Sequence, residues 1–163
     1  VDDVAIGDLE EDDLDVLRPA FLSLHEHHRR VSAVPVIEAD DEAWAGRRRT
    51  YERAIADGSA VVRLARSEGA VVGYGFGIVR AGDDDTFRLA PAYGEVYSLA
   101  VLPAWRDRGI GTRIVDALVA AFAERGVDRL AVAAMVGNEG ALRLYERLGF
   151  TPAEVVLYRL GGG

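Results

Sequence analysis

Residues 94–102 read as a β-strand, Pro103 stops it, and two closely spaced glycines, Gly109 and Gly111, open an apolar-periodic helix that closes at Gly126. A strand that turns through a short loop into a glycine-opened helix is one unit of an architecture that packs helices on a sheet. The first amides of a helix lack intrahelical partners and point outward with the positive end of the dipole. Glycine lets an oxyanion approach that backbone closely. Arg106 and Arg108 add positive charge, so the loop suits a diphosphate. The same spacing also fits an ordinary strand-to-helix turn in a chain with 18 glycines and 19 Lys+Arg residues. It is not a Walker loop, because no Gly-Lys-Ser/Thr follows, and its glycine spacing is not the dinucleotide fingerprint.

The rest of the chain supplies the other elements. Val4-Ala5-Ile6 is a short strand, followed by a helical stretch over 10–30 with Leu14, Leu17, Phe21 and Leu24 at helical spacing. Pro19 predicts a kink or two short helices there. A second helix spans 40–56, with Trp44, Tyr51 and Ile55 facing one way, and Asp57-Gly58 ends it. Strands follow at 60–65 and 70–79, joined by a turn at Ser67-Glu68-Gly69. Gly73, Gly75 and Gly77 alternate within the second of them, so they line one face where another backbone or a ligand comes close. A loop over 81–93 precedes the strand at 94–102 and the helix at 109–125. A strand at 129–136, a helix at 139–148 closed by Gly149, and a last strand at 153–160 complete the order, and the terminal triple glycine is expected to fray. The expected architecture is one α/β domain over 1–163, a mixed central sheet flanked by helices.

Composition narrows the function classes. The chain has 163 residues and no cysteine, which removes disulfides and thiol nucleophiles together. It has no apolar run long enough to cross a membrane. The acidic start Val1-Asp2-Asp3 is not a signal peptide, so the cytoplasm is the expected compartment. All 19 basic residues are arginine, and the only asparagine is Asn138. Residues 1–57 hold 15 acids and 7 arginines, whereas the remainder is balanced, so the net charge of −8 lies in the first third. An acidic chain is not expected to bind nucleic acid nonspecifically. The lopsided charge fits either solubility or a negative field that draws a cationic substrate to a cleft mouth.

A second motif lies about 30 residues downstream of the first. It reads Asn138-Glu139-Gly140-Ala141-Leu142-Arg143-Leu144-Tyr145-Glu146-Arg147-Leu148-Gly149-Phe150. Asn138 can cap this helix, and Asn138, Ala141 and Tyr145 share a face. Read alone, this is a capped helix with a core tyrosine. Taken with the first motif, it resembles the GNAT superfamily of acyl-CoA-dependent N-acetyltransferases. Arg106-Asp107-Arg108-Gly109-Ile110-Gly111 is similar to the family's Arg/Gln-x-x-Gly-x-Gly/Ala pyrophosphate motif. Leu99-Ala100-Val101-x-Pro103 and Asn138-x-x-Ala141-x-x-x-Tyr145-x-x-x-Gly149-Phe150 are similar to its flanking pattern.

The resemblance implies acetyl-CoA as co-substrate, no metal, and splayed strands that form the CoA cleft. The backbone of Leu99, Ala100 and Val101 would pair with the pantetheine arm, and a bulge in this strand would open the cleft. The amides of Arg106, Asp107, Arg108, Gly109, Ile110, Gly111 and Thr112 would hold the pyrophosphate. Asn138 would reach the pantetheine or its thioester end. Tyr145 would protonate the departing thiolate. Glu95 sits where many members carry a catalytic carboxylate, and it would share a strand face with Tyr97 and Leu99 unless a bulge changes the parity. Its other reading is a solvated strand-end glutamate.

The chemistry asks for such parts. Proton transfer from an alkylammonium to glutamate in water is uphill by about 6 pKa units, roughly 8 kcal/mol. A site must therefore lower the amine pKa, raise that of the base, relay through water, or select free amine. A backbone amide near Leu99 would stabilise the oxyanion.

The acceptor is expected to be an amine, on a small molecule or a protein N-terminus. A homodimer is compatible with the resemblance. The alternative from another class is a non-catalytic acyl-CoA-binding or regulatory module on the same fold. A nucleotide-binding protein without CoA chemistry is disfavoured by the missing lysine and the second motif. His25, His27 and His28 read as solvated or acceptor-lining histidines, with His25 and His28 placed to approach one metal and no third ligand to complete a site. Asp12-Asp13 and Asp83-Asp84-Asp85 read as exposed runs.

Overall fold

In chain order the elements are β1 (Val4–Gly7), α1 (Arg18–Val31), α2 (Asp40–Ala56), β2 (Ala60–Ser67), β3 (Ala70–Ala81), β4 (Ala92–Val101), α3 (Ile110–Glu124), β5 (Leu130–Val132) and α4 (Glu139–Arg147). They come from a computed structural model that describes residues 3–10, 13–35 and 37–161. The expectations for Val1, Asp2, Asp12 and the last two glycines lie outside the described residues. The strands form one open sheet in the order β1-β2-β3-β4-β5. β1 to β4 are antiparallel and β5 runs parallel to β4. β2 and β3 meet in a tight hairpin because Glu68 and Gly69 both take left-handed backbone angles, φ 49° and 83°, the geometry that matches strand twist.

Each face of the sheet carries its own core. On one face α1 and α2 pack Phe21, Trp44 and Tyr51 against Leu64, Tyr74 and Phe76. On the other α3 lays Ile110, Ile114, Leu118 and Phe122 over Val61, Ala65 and Val96. β2 is therefore buried on both sides, which explains its near-continuous apolar run. The alternating glycines of β3 belong to the α3 face. A Cβ on Gly75 would lie 2.5 Å from Ile114, and one on Gly77 would lie 2.5 Å from Phe122. Side chains there would lift α3 off the sheet.

Of the two outcomes expected at Pro19, the division into two helical pieces holds: a 3-10 turn over Leu14–Leu17 precedes it, and Pro19 sits in the first turn of α1. Proline is tolerated there because the missing N–H has no intrahelical acceptor to lose. The strand expected over 129–136 shrinks to Leu130–Val132. The strand expected over 153–160 is absent: residues 151–161 form no ladder and every one is exposed. Its β-branched and aromatic pattern is real, but a strand exists only where a neighbour accepts its hydrogen bonds.

Candidate active site

β4 has neighbours on both edges for only part of its length. It pairs with β3 from Ala92 to Val101, but with β5 only at Gly94, Glu95 and Val96. Its register against β3 slips so that Phe76 faces Ser98 and Gly77 faces Val96, which leaves Tyr97 as the bulged residue. Beyond the bulge β4 has no β5 partner among the described residues, so the edge of Ser98 to Val101 is unpaired on that side.

The bulge also settles which side chains share a face. Tyr97 and Ala100 join the core under α1 and α2, whereas Leu99 and Val101 join the one under α3. Glu95 lies with Tyr97, because Arg80 both bonds Glu95 and covers the Tyr97 ring. The expected sharing of a face with Leu99 does not occur. One extra residue in the strand inverts the parity beyond it.

Helix α2 props the bulge. Arg47 Nη1 donates to Ser98 Oγ at 2.6 Å and to the Tyr97 carbonyl at 3.5 Å. Tyr51 donates to the same Ser98 oxygen at 2.6 Å and shares a 3.0 Å hydrogen bond with the Tyr74 hydroxyl. Burial pushes the pKa of Tyr51 up and that of Tyr74 well above its usual value, so both phenols stay protonated.

The loop after β4 leads into the start of α3. Asp107 and Gly109 take left-handed angles, φ 60° and 74°, and turn the chain sharply into the helix. The Arg113 amide is the first to find a helical acceptor, the Gly109 carbonyl at 3.1 Å. Among the described residues the amides of Ile110, Gly111 and Thr112 have none. A Cβ on Gly111 would sit 3.5 Å from Leu144 of α4 and 4.0 Å from Leu99 of β4, so this glycine faces the gap between those two elements. The flanking arginines keep their charge and also make structural contacts. Arg106 Nε donates to the Val101 carbonyl at 3.0 Å and Nη2 to Ser23 Oγ at 2.9 Å, which ties the loop to β4 and α1. Its own amide is taken by the Pro103 carbonyl at 3.3 Å. Arg108 lies over the Trp105 ring, 5.1 Å from its centre.

α4 forms the facing wall. Asn138 Oδ1 accepts from the Ala141 amide at 3.2 Å, the expected cap, and also from His27 Nε2 at 3.2 Å. His27 thereby ties α1 to the start of α4. Tyr145 is buried with its ring edge-on to Phe150 at 5.7 Å. Its hydroxyl has no protein hydrogen bond among the described residues, and burial pushes its pKa up to about 12. Glu95 Oε2 accepts from Arg80 Nε at 2.6 Å, with a quarter of the Glu95 side chain exposed.

An open pocket of about 570 Å³ lies between α1 and α2, floored by Phe21, His25, Arg47 and Tyr97 and rimmed by Glu38 and Glu42. His25 is buried, stacked 5.7 Å from Phe21, and its Nε2 donates to the Glu38 carbonyl at 2.9 Å. Burial, then Arg47, His27 and His25, pull His28 down to about 4. Among the described residues no three ligating side chains gather around a metal position.

Sequence reasoning missed Arg47, Ser98 and the Arg80–Glu95 pair. Arg47 and Arg48 are both three or four residues from Trp44 and Tyr51 on the helix, so the spacing gave no signal that Arg47 is the one turned toward β4.

Residues 21–150 match the acetyltransferase (GNAT) family. The chain belongs to that family. The N-alpha-acetyltransferase RimI of Mycobacterium tuberculosis is 43% identical over 86 residues, 53% of this chain and 49% of that protein. A mycothiol acetyltransferase of Corynebacterium aurimucosum is 38% identical over 64 residues, 39% of this chain and 21% of that protein. The chain thus spans half or less of these two curated relatives. In fold it is similar to a GCN5-related N-acetyltransferase from Ralstonia eutropha JMP134, with TM-score 0.77, 23% identity, and 98% and 99% of the two chains covered. It is also similar to the aminoglycoside N-acetyltransferase AAC(6')-Iy in complex with CoA, with TM-score 0.71, 17% identity, and 97% and 94% covered.

Proposed function

We propose that this GNAT-family chain transfers an acetyl group from acetyl-CoA to an amine by direct attack in a ternary complex. The observations that carry the reading are the edge of β4 left unpaired beyond Val96 and the partnerless first-turn amides of α3 that follow it in the chain. An extended pantetheine arm fits as an added strand along Leu99, Ala100 and Val101, and the amides of residues 109–112 suit the pyrophosphate.

In the reaction the amine nitrogen forms a bond to the acetyl carbon, the carbon–sulfur bond breaks, and the nitrogen gives up a proton. Glu95 is the carboxylate we assign to that proton, directly or through water. The Arg80 guanidinium holds one of its oxygens and leaves the other for the task. Tyr145 is the donor assigned to the departing sulfur, supported by a hydroxyl that burial keeps protonated. Asn138 reaches toward the thioester end with its amide nitrogen, since its oxygen is engaged at the cap. The acceptor amine belongs to a small molecule or a protein N-terminus and enters through the pocket between α1 and α2. A cytoplasmic location fits the cysteine-free, acidic sequence. A homodimer fits the exposed apolar run at Val155, Val156, Leu157 and Tyr158.

The test is thiol release from acetyl-CoA against a panel of amines, with mass spectrometry of the acetylated product. Amine-dependent release supports the reading. Tight acetyl-CoA binding with no turnover on any amine would make the chain a binding module instead.

A further inference from the structure

Arg47 uses only part of its guanidinium on the protein. Nη1 serves Ser98 and the Tyr97 carbonyl, while Nε and Nη2 have no hydrogen-bond partner among the described residues. No polar side-chain atom that is sealed from solvent lacks a partner among these residues, so the remaining donors of Arg47 reach open space. That space is the pocket, where Arg47 forms part of the floor. The guanidinium lies 5.3 Å from the centre of the Phe21 ring and 4.8 Å from that of Tyr97, which orients its plane but leaves its charge uncompensated. No carboxylate lies within ion-pair distance of it among the described residues, whereas Arg63 and Arg80 pair with Asp8 and Glu95. Its field is felt nearby: after burial, Arg47 is the largest cause of the depressed His28 pKa. A half-buried cation without a counterion is costly to keep unless something else supplies the negative charge.

We infer that Arg47 reads an oxyanion on the acceptor, so that the amine substrate also carries a carboxylate or phosphoryl group, as an amino acid does. The inference rests on the acetyl-transfer reading and names the substrate class of that same site. Planar guanidinium donors match the two oxygens of a carboxylate. The Tyr97 ring adjoins Arg47, at 4.8 Å, and Arg80, at 5.7 Å, and Arg80 holds Glu95. An oxyanion seated on Arg47 therefore leaves the amine of the same molecule on the Tyr97 side, toward the assigned base and the bulge. Glu38 and Glu42 at the rim attract the ammonium end of an incoming zwitterion. The exposed Arg49 also lines the pocket, so its mouth carries both signs of charge, and Arg47 repels a polycation at the end of its path.

The experiment uses matched pairs: each L-amino acid against its own carboxamide, and aminoalkyl phosphates against the corresponding amino alcohols, with acetyl-CoA saturating and thiol release as readout. For the best acceptor, the wild-type kcat/KM should exceed that of its neutral partner by at least about 30-fold. That ratio should fall toward one in Arg47→Met, and Arg47→Lys should restore part of it. If Arg47 only props the bulge, the variants lower both members of a pair equally and the wild-type ratio persists in Arg47→Met, which overturns the inference. Equal rates within each pair, or a best acceptor that is a plain amine or polyamine, would overturn the inference and leave acetyl transfer standing. Silence across the panel with acetyl-CoA bound by calorimetry also overturns it. Failure of acetyl-CoA to bind removes the underlying reading as well.

Discussion

The Tyr145 hydroxyl combines burial with the absence of a protein partner, and the consequences are chemical. At a pKa of about 12 it stays protonated at any pH where the protein works. It is also a weak acid: passing its proton to a thiolate of ordinary pKa is uphill by about 3.5 units, roughly 5 kcal/mol. Its contribution should therefore sit at the low end for an acid catalyst. Tyr145→Phe should lower kcat by about 10²-fold and leave the acetyl-CoA dissociation constant within about 2-fold. Wild-type turnover in that variant, with chemistry limiting, would exclude the hydroxyl as donor. Nor should the alkaline limb of the kcat profile below pH 10 belong to this tyrosine. His28 titrates in the opposite sense. Its folded pKa is about 4 against 6.5 unfolded, so the unfolded chain binds the proton more tightly. The associated stability is complete above about pH 6.5 and is lost as pH falls toward 4. With solvent screening allowed for, the loss between pH 7 and 5 is on the order of 1 kcal/mol. Denaturant melts at the two values should differ by that much more in wild type than in His28→Gln.

Two glycines show how elements divide stability from binding. Gly75 lies where α3 meets the sheet, and a Cβ there would stand 2.5 Å from Ile114 and 2.7 Å from Leu118. Gly75→Ala should destabilise the fold by about 1–3 kcal/mol through overpacking and barely touch acetyl-CoA affinity once folded. Gly109 is the reverse case. Nothing lies within 4 Å of a Cβ added there, but its φ is +74°, which costs an L-residue about 1–2 kcal/mol. Gly109→Val relieves that strain by rotating the peptides that open α3, so the first-turn amides stop converging. Calorimetry should show acetyl-CoA affinity down by at least about 10-fold with a small change in melting temperature. Unchanged affinity would remove the pyrophosphate assignment.

At the scale of the whole molecule, the apolar segment after α4 is the part with least support from its own chain. Leu157 is 88% exposed, and Val155, Val156 and Tyr158 are each exposed by about 70%. Exposed strand-forming apolar residues without a ladder partner favour association between copies. Sedimentation should show mass rising with concentration, and Leu157→Lys should move the distribution toward monomer. A wild-type chain that stays monomeric at high concentration would exclude this route to a dimer. The acidic first third has its own place at this scale. Asp15, Asp40 and Asp41 are paired with arginines of α1 and α2, so part of that charge stitches the helical layer together.

The order of elements, both glycines of the α3 start, the Asn138 cap and the family motifs were legible in the sequence because each depends on residues a few positions apart. Periodicity, capping and turn chemistry are local, and the chain writes them locally. The β3 glycines were legible for the same reason, although only α3 revealed what they make room for. What the fold alone decided is non-local. The bulge at Tyr97 flips the face of Leu99, and its position depends on Ser98 meeting Arg47 and Tyr51, 51 and 47 residues away in sequence. Arg80 finds Glu95 across a strand pair, and His27 reaches Asn138 over 111 residues. The residues 153–160 make the same point from the other side. Their pattern is that of a strand, but no pattern supplies the neighbour that a hydrogen-bonded ladder requires.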